Sequence, residues 1–163
     1  MSRFVGFEAT AGGVEAEFGD VEREVLDWLG VELTALLRQG DATPDDARVL
    51  ERLLPAAYPD DADAAEEFAG YTRERIADGK RERMEAILGD LGPLGEGSAR
   101  HVRLTPEQAA VWAQGLTDLR LVFAERTGIA DGRRAPRSAA DVYDWLGALQ
   151  WSLVEALDDL QQA

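Results

Sequence analysis

Cysteine is absent from the 163-residue sequence, and histidine occurs only once, as His101. Without cysteine the chain can form no disulfide, no thiolate metal site and no cysteine nucleophile. A zinc site or a Ser-His-Asp triad would depend on His101 alone, which disfavours both. We therefore expect no metal, no cofactor and no enzymatic activity, and an enzyme using carboxylate or arginine chemistry is the alternative that remains.

Long hydrophobic runs are also missing. No stretch of about 18 apolar residues occurs, so the sequence predicts no membrane-spanning segment. The first eight residues, MSRFVGFE, lack the apolar core of a signal peptide. The absence of cysteine fits a reducing compartment. Together these features predict a cytoplasmic protein.

Basic residues are scarce and unevenly placed. The net charge is −15, and residues 1–69 carry 17 acidic and 5 basic side chains, a net charge of −12. An acidic surface of this kind either keeps a protein soluble or docks a basic protein partner. Because phosphates repel such a surface, we expect no direct, specific binding to duplex DNA.

The pattern of apolar residues predicts a mostly α (α+β) fold. Alternating residues on either side of Gly12-Gly13 predict a β-hairpin over residues 3–18, and residues 101–104 are the best third strand. About five helices are predicted, with Asp20, Thr43, Thr105 and Ser138 as N-caps. We expect a bundle of these helices with a small antiparallel sheet, in a single domain over residues 1–163.

Tryptophan recurs in the helical segments. In the first helix an apolar stripe is predicted from residues at three- and four-residue steps. Its members are Val21, Val25, Trp28, Leu29, Leu33, Leu36 and Leu37. Core packing is the default interpretation for this stripe and for most of the four tryptophans, Trp28, Trp112, Trp145 and Trp151.

An acidic turn leads into the third predicted helix, and we predict that a protein partner docks there. Loops that lead into helices often carry binding residues, and an aromatic residue beside the acids would serve as an anchor. Simple solvation of the helix N-terminus is the alternative. The predicted docking residues are Tyr58, Asp60, Asp61, Asp63, Glu66 and Glu67.

Two further groups of charged residues favour structural roles. Asp118, Arg120 and Arg126 lie on the fourth predicted helix and Asp144 on the fifth, and we expect Asp144 to pair with Arg120 or Arg126 and fix the register of the two helices. The basic segment Arg73–Arg83 is interleaved with acids at spacings that suit ion pairs on an exposed face. Contact with an anion or a nucleic acid is the alternative for this segment.

Three segments together resemble one known family. They are residues 53–58 (LLPAAY) with Glu66, Glu67, Phe68 and Thr72, residues 116–122 (LTDLRLV) with Gly128 and Ile129, and residues 142–146 (VYDWL) with Leu149 and Gln150. The set resembles an actinobacterial family of unknown function that is encoded beside the ClpS adaptor and includes AosR-type oxidative-stress regulators. The resemblance covers nearly the whole chain.

This resemblance implies a non-enzymatic regulatory protein that acts by protein–protein contacts in transcription or stress control, with RNA polymerase or a sigma factor as partner. An adaptor or accessory factor for Clp-dependent proteolysis is the alternative. The redox regulators of the family have a cysteine pair near the N-terminus. Since residues 5–9 of this chain contain no sulfur, sensing through thiols is excluded here.

Overall fold

The computed structural model describes residues 6–40, 42–54, 62–94, 99–132 and 137–163, and of residues 62–70 it describes the backbone only. The elements follow in chain order. They are strands β1 (Glu8–Thr10) and β2 (Gly13–Phe18), helices α1 (Asp20–Gln39), α2 (Pro44–Leu53) and α3 (Ala62–Leu91), strand β3 (Arg100–Leu104), helix α4 (Pro106–Thr127), a 3₁₀ turn (Ile129–Asp131) and helix α5 (Arg137–Gln162). The expected mostly helical fold is confirmed.

The three strands form one antiparallel sheet in the order β1-β2-β3. Val14 lies opposite Leu104, and Phe18 lies opposite Arg100. The predicted pairing of the N-terminal hairpin with a strand at residues 101–104 is therefore confirmed. Gly13 permits this pairing because a Cβ atom there would lie 2.3 Å from the carbonyl oxygen of Leu104.

Helix α4 lies at the centre and packs against the other four helices and the sheet. Its start is fixed by a complete capping box, in which Thr105 and Gln108 each bond the other's backbone N–H. Gly128 ends it in the left-handed conformation. Both predicted boundaries of this helix are confirmed.

The core contains an aromatic cluster where the sheet meets α4. The fully buried ring of Trp112 stacks on Phe18 at 5.9 Å between centroids, and Phe7 meets it edge-on at 5.5 Å. The indole N–H of Trp112 donates a 2.8 Å hydrogen bond to Asp90 of α3. The cluster therefore joins the N-terminal hairpin to α3 and α4, and the polar atom of the buried Trp112 ring has a hydrogen-bond partner.

Two predicted helix starts are wrong, by one residue in α1 and by two residues in α5. Helix α1 is capped by Gly19, so Asp20 is its first helical residue, where its carboxylate still faces the positive end of the helix dipole. Helix α5 begins at Arg137, so Ser138 lies inside its first turn. None of the helices in the part of the chain that the structure describes is long and apolar enough to cross a membrane.

Candidate protein-interaction surface

Helix α1 carries apolar side chains on two opposite faces. The inner face packs into the core through Leu26, Leu29, Leu33 and Leu36, all of them buried. Gly30 lies on this side too, and a Cβ atom there would be 2.9 Å from Leu88 of α3. Gly30 therefore lets α1 and α3 pack closely on the face that carries the buried leucines.

The outer face of α1 presents Val21, Trp28 and Val31 to solvent, with exposed fractions of 71%, 59% and 53%. Each residue turns the helix by about 100°, so Trp28 points well away from its buried neighbour Leu29. The prediction that Val21 and Trp28 belong to the buried stripe is therefore wrong. Scattered exposed apolar residues are normal, but an exposed tryptophan with exposed valines on the same helix face is typical of a binding surface.

Acidic side chains surround Trp28. Glu24 and Glu32 lie four residues before and after it, which places them beside it on the helix surface. Asp27 lies on the flank of the same face. None of these three carboxylates forms an ion pair with a residue that the structure describes. The outer face of α1 is thus an apolar strip with carboxylates within and beside it that pair with no described residue.

The two basic residues of α1 have partners elsewhere in the protein. Arg23 is buried and donates to the backbone carbonyl of Pro93. Arg38, near the end of the helix, forms a 2.9 Å ion pair with Glu85 of α3. Both arginines attach α1 to the rest of the protein, so neither offsets the negative charge around Trp28.

Two of the four tryptophans pack in or against the core, and two are exposed. Trp112 is buried, and Trp145 is half-buried against the core. Trp28 on α1 and Trp151 on α5 are exposed, the latter by 65%. Core packing as the default interpretation is therefore wrong for Trp28 and Trp151.

The predicted acidic docking residues fall largely outside the described part of the chain. Tyr58, Asp60 and Asp61 are not among the described residues, and of Asp63, Glu66 and Glu67 only the backbone is described, within α3. This docking site stays a prediction.

The expected ion pair between α4 and α5 through Asp144 is wrong. Asp144 is exposed and pairs with no described residue, whereas Arg126 pairs with Asp45 and with Asp46, the latter at 2.6 Å. Arg120 does join α4 to α5, but through a 3.0 Å hydrogen bond to Gln150 and by lying over the Tyr143 ring. Arg120 therefore has its expected structural role with neutral partners.

Asp118 also has a structural role, with a partner that the sequence did not indicate. Its Oδ1 accepts a 2.6 Å hydrogen bond from Lys80 Nζ of α3, and both side chains are largely buried. In the basic segment Arg73–Arg83, Arg81 pairs with Asp78 at 3.1 Å and with Glu85 at 3.8 Å. The interpretation as ion pairs within the helix is therefore confirmed for Arg81 and is wrong for Lys80, whose partner lies on α4 in a largely buried position.

A second group of charges ties α2 to the end of α4. The buried carboxylate of Glu125 lies 3.2 Å from Arg52 and 3.7 Å from Arg48, so a negative charge inside the protein faces two cations. Nearby, the hydrogen bond from Arg126 lowers the pKa of Asp46 below its usual range, and Thr43 adds to this effect. Burial alone would lower the pKa of Arg126, but hydrogen bonds from its guanidinium to Asp46 and Asp45 outweigh it and raise that pKa.

A cleft of about 520 Å³ opens beside β3, lined by Asp90 and by residues 100–103. Its polar side chains already have partners, since Glu15 lies 3.1 Å from His101 and 3.4 Å from Arg103, and Arg100 donates a 3.4 Å hydrogen bond to the Asp90 carbonyl. Among the described residues no group of three or more histidines, aspartates or glutamates could hold a metal ion. The outer face of α1 is therefore the strongest candidate for a functional surface.

Comparison with known proteins identifies the family of this chain. No curated protein and no solved structure matches the chain. The model of one family does match it, over residues 1–157, which is nearly its whole length. The chain therefore belongs to the family described as domain of unknown function DUF2017.

Proposed function

We propose that this protein is a non-enzymatic cytoplasmic regulator that acts by binding another protein through the outer face of α1. The observation that carries the proposal is the exposure of Trp28 between Val21 and Val31. Tryptophan is enriched among the residues that dominate binding energy at interfaces. An exposed tryptophan lowers the solubility of a protein. Its presence on a helix surface is therefore typical of a site that a partner covers.

The charged groups buried among the described residues support a regulator better than an enzyme. They are Arg23, Asp118 and Glu125. Each contacts an oppositely charged side chain or a carbonyl on another element, as described above, and so holds helices together. This role requires no substrate.

The partner that we propose is RNA polymerase or a sigma factor, in transcription or stress control. This choice rests on the resemblance to the AosR-type regulators. Direct, specific DNA binding is not part of the proposal, because a net charge of −15 opposes the approach of phosphates. The alternative partner is the Clp proteolytic machinery, which rests on gene neighbourhood alone.

Affinity capture with the full-length protein tests this function. Wild type, Trp28→Ala and the matched control Trp151→Ala would be tagged and expressed in the native host, and captured proteins identified by mass spectrometry. We expect peptides of RNA polymerase or a sigma factor with wild type and Trp151→Ala, and their loss with Trp28→Ala. Trp28-dependent capture of Clp subunits would favour the alternative. Capture of the same proteins by wild type and by Trp28→Ala would contradict the proposal.

A further inference from the structure

We infer that the outer face of α1 binds a basic amphipathic helix of the partner protein, an inference that rests on the proposed function. Two features of the described surface define this occupant. One is the shape of the apolar strip, and the other is the sign of the charge around it.

The strip has the spacing of a helix-packing seam. Val21, Trp28 and Ala35 are seven residues apart, and Val31 lies three residues after Trp28. Apolar residues at such intervals follow one line along a helix and receive the apolar side chains of a second helix. At about 1.5 Å per residue the strip is roughly 21 Å long, which matches about four turns of a partner helix.

The carboxylates on this face determine which charge the partner helix should carry. Asp27 and Glu32 flank the strip, and Glu24 lies within it between Val21 and Trp28. No described residue forms an ion pair with any of these carboxylates. A helix that lies along the strip brings its own flanking positions against these carboxylates, as the residues beside a coiled-coil seam do. Lysine or arginine at these positions would form ion pairs across the interface and speed association, whereas acidic residues would repel.

A second copy of this chain does not fit the same face. If two α1 helices packed antiparallel about Trp28, Glu24 of each would face Glu32 of the other. If they packed parallel, Glu24 would face Glu24 of the other copy, and Glu32 would lie beside the other copy's Asp27. Both arrangements bring like charges together between molecules that each carry a net charge of −15.

A direct test uses synthetic helices as probes. Three fluorescein-labelled 18-residue peptides would be titrated with the full-length protein by fluorescence anisotropy: a leucine stripe with lysine flanks, the same stripe with glutamate flanks, and a scrambled lysine peptide without a stripe. Any cationic peptide is attracted to an acidic protein, so dependence on Trp28 is the criterion. Trp151→Ala is the matched control, because Trp151 is equally exposed but lies on α5.

We expect the lysine-flanked helix to bind more tightly than both other peptides. Trp28→Ala should weaken its binding by at least about thirtyfold, the loss that defines an interface hot spot, and Trp151→Ala should leave it nearly unchanged. Glu24→Gln with Glu32→Gln should weaken binding and reduce its dependence on salt.

Other results would overturn the inference and separate it from the proposed function. If the glutamate-flanked helix binds as tightly in a Trp28-dependent manner, the face docks a different kind of partner and only this inference fails. A Trp28-dependent dimer in sedimentation analysis would likewise replace the basic helix with a second copy. If no peptide depends on Trp28, the inference fails, and the capture experiment then decides separately whether α1 is a binding surface.

Discussion

Replacing Asp118 by alanine removes one half of the ion pair that joins α3 to α4. The pair is short, at 2.6 Å, and its side chains are only 7% exposed for Asp118 and 16% exposed for Lys80. Removing one partner of a buried pair typically costs about 3–5 kcal/mol, because the remaining charge stays out of water without compensation. Since the Lys80 side chain retains some contact with solvent, we expect a loss of about 3 kcal/mol.

Urea unfolding with linear extrapolation measures this loss. In a protein of this size each kcal/mol shifts the melting temperature by roughly 2–4 °C, so Tm should fall by about 6–12 °C. The exposed Asp144 provides the control, and Asp144→Ala should stay within about 0.5 kcal/mol of wild type. The double variant Lys80→Met with Asp118→Leu replaces the pair by apolar side chains and should recover most of the loss.

Two results would refute this reasoning. One is an Asp118→Ala protein that is no less stable than Asp144→Ala. This would mean that the Lys80 ammonium becomes hydrated without a loss of stability. The other is a double variant whose loss equals the sum of the losses of Lys80→Met and Asp118→Leu measured alone, because coupled partners should be non-additive.

Two further predictions concern packing and pH. Gly115→Ala should destabilise the protein by about 1–3 kcal/mol, because its Cβ atom would lie 2.2 Å from Ile87 Cδ1. The control Gly89→Ala meets nothing within 4 Å and should stabilise α3 by about 0.5–1 kcal/mol. Equal effects of the two changes in urea unfolding would contradict the close approach at Gly115. The pKa of Asp46 is lowered by Arg126, so its contribution to stability is present above the unfolded-state pKa of about 4 and is lost as the pH falls from there through the folded-state pKa. Asp46→Asn should therefore flatten the fall in stability below about pH 4. An unchanged slope would show that the pair contributes nothing.

Most of the fold could be predicted because local signals and global packing agree. The hairpin and β3 alternate along their length, and Thr43, Thr105 and Gly128 mark helix ends by hydrogen bonds that the structure contains. Such signals depend on a few neighbouring residues, so a single sequence displays them.

The face of α1 could not be predicted from periodicity alone. Leucine, valine and tryptophan lie around much of its circumference, and a stripe through Trp28 and Leu29 is as regular as the one that the core covers. The seven-residue interval from Val21 to Trp28 was the available signal for a second face. Which face the core covers depends on the approach of α3 to Gly30, a contact between residues far apart in sequence.

The partners of the charged residues were equally hidden. Arg120 and Arg126 are six residues apart and so point to different neighbours, α5 for the first and α2 for the second. Lys80 and Asp118 are 38 residues apart, and no rule of spacing joins them. Pairing between helices depends on how the helices rotate about their axes, which the sequence does not reveal residue by residue.

The pairing of β2 with β3 also has a consequence for synthesis. Glu15 meets His101 across a separation of 86 residues, and a two-stranded hairpin alone is marginally stable in water. At about 5–20 residues per second, the ribosome needs roughly 4–17 s to make the intervening chain. During that interval Phe18 lacks its stacking partner Trp112, and the apolar face of the nascent hairpin is exposed to chaperones and to aggregation.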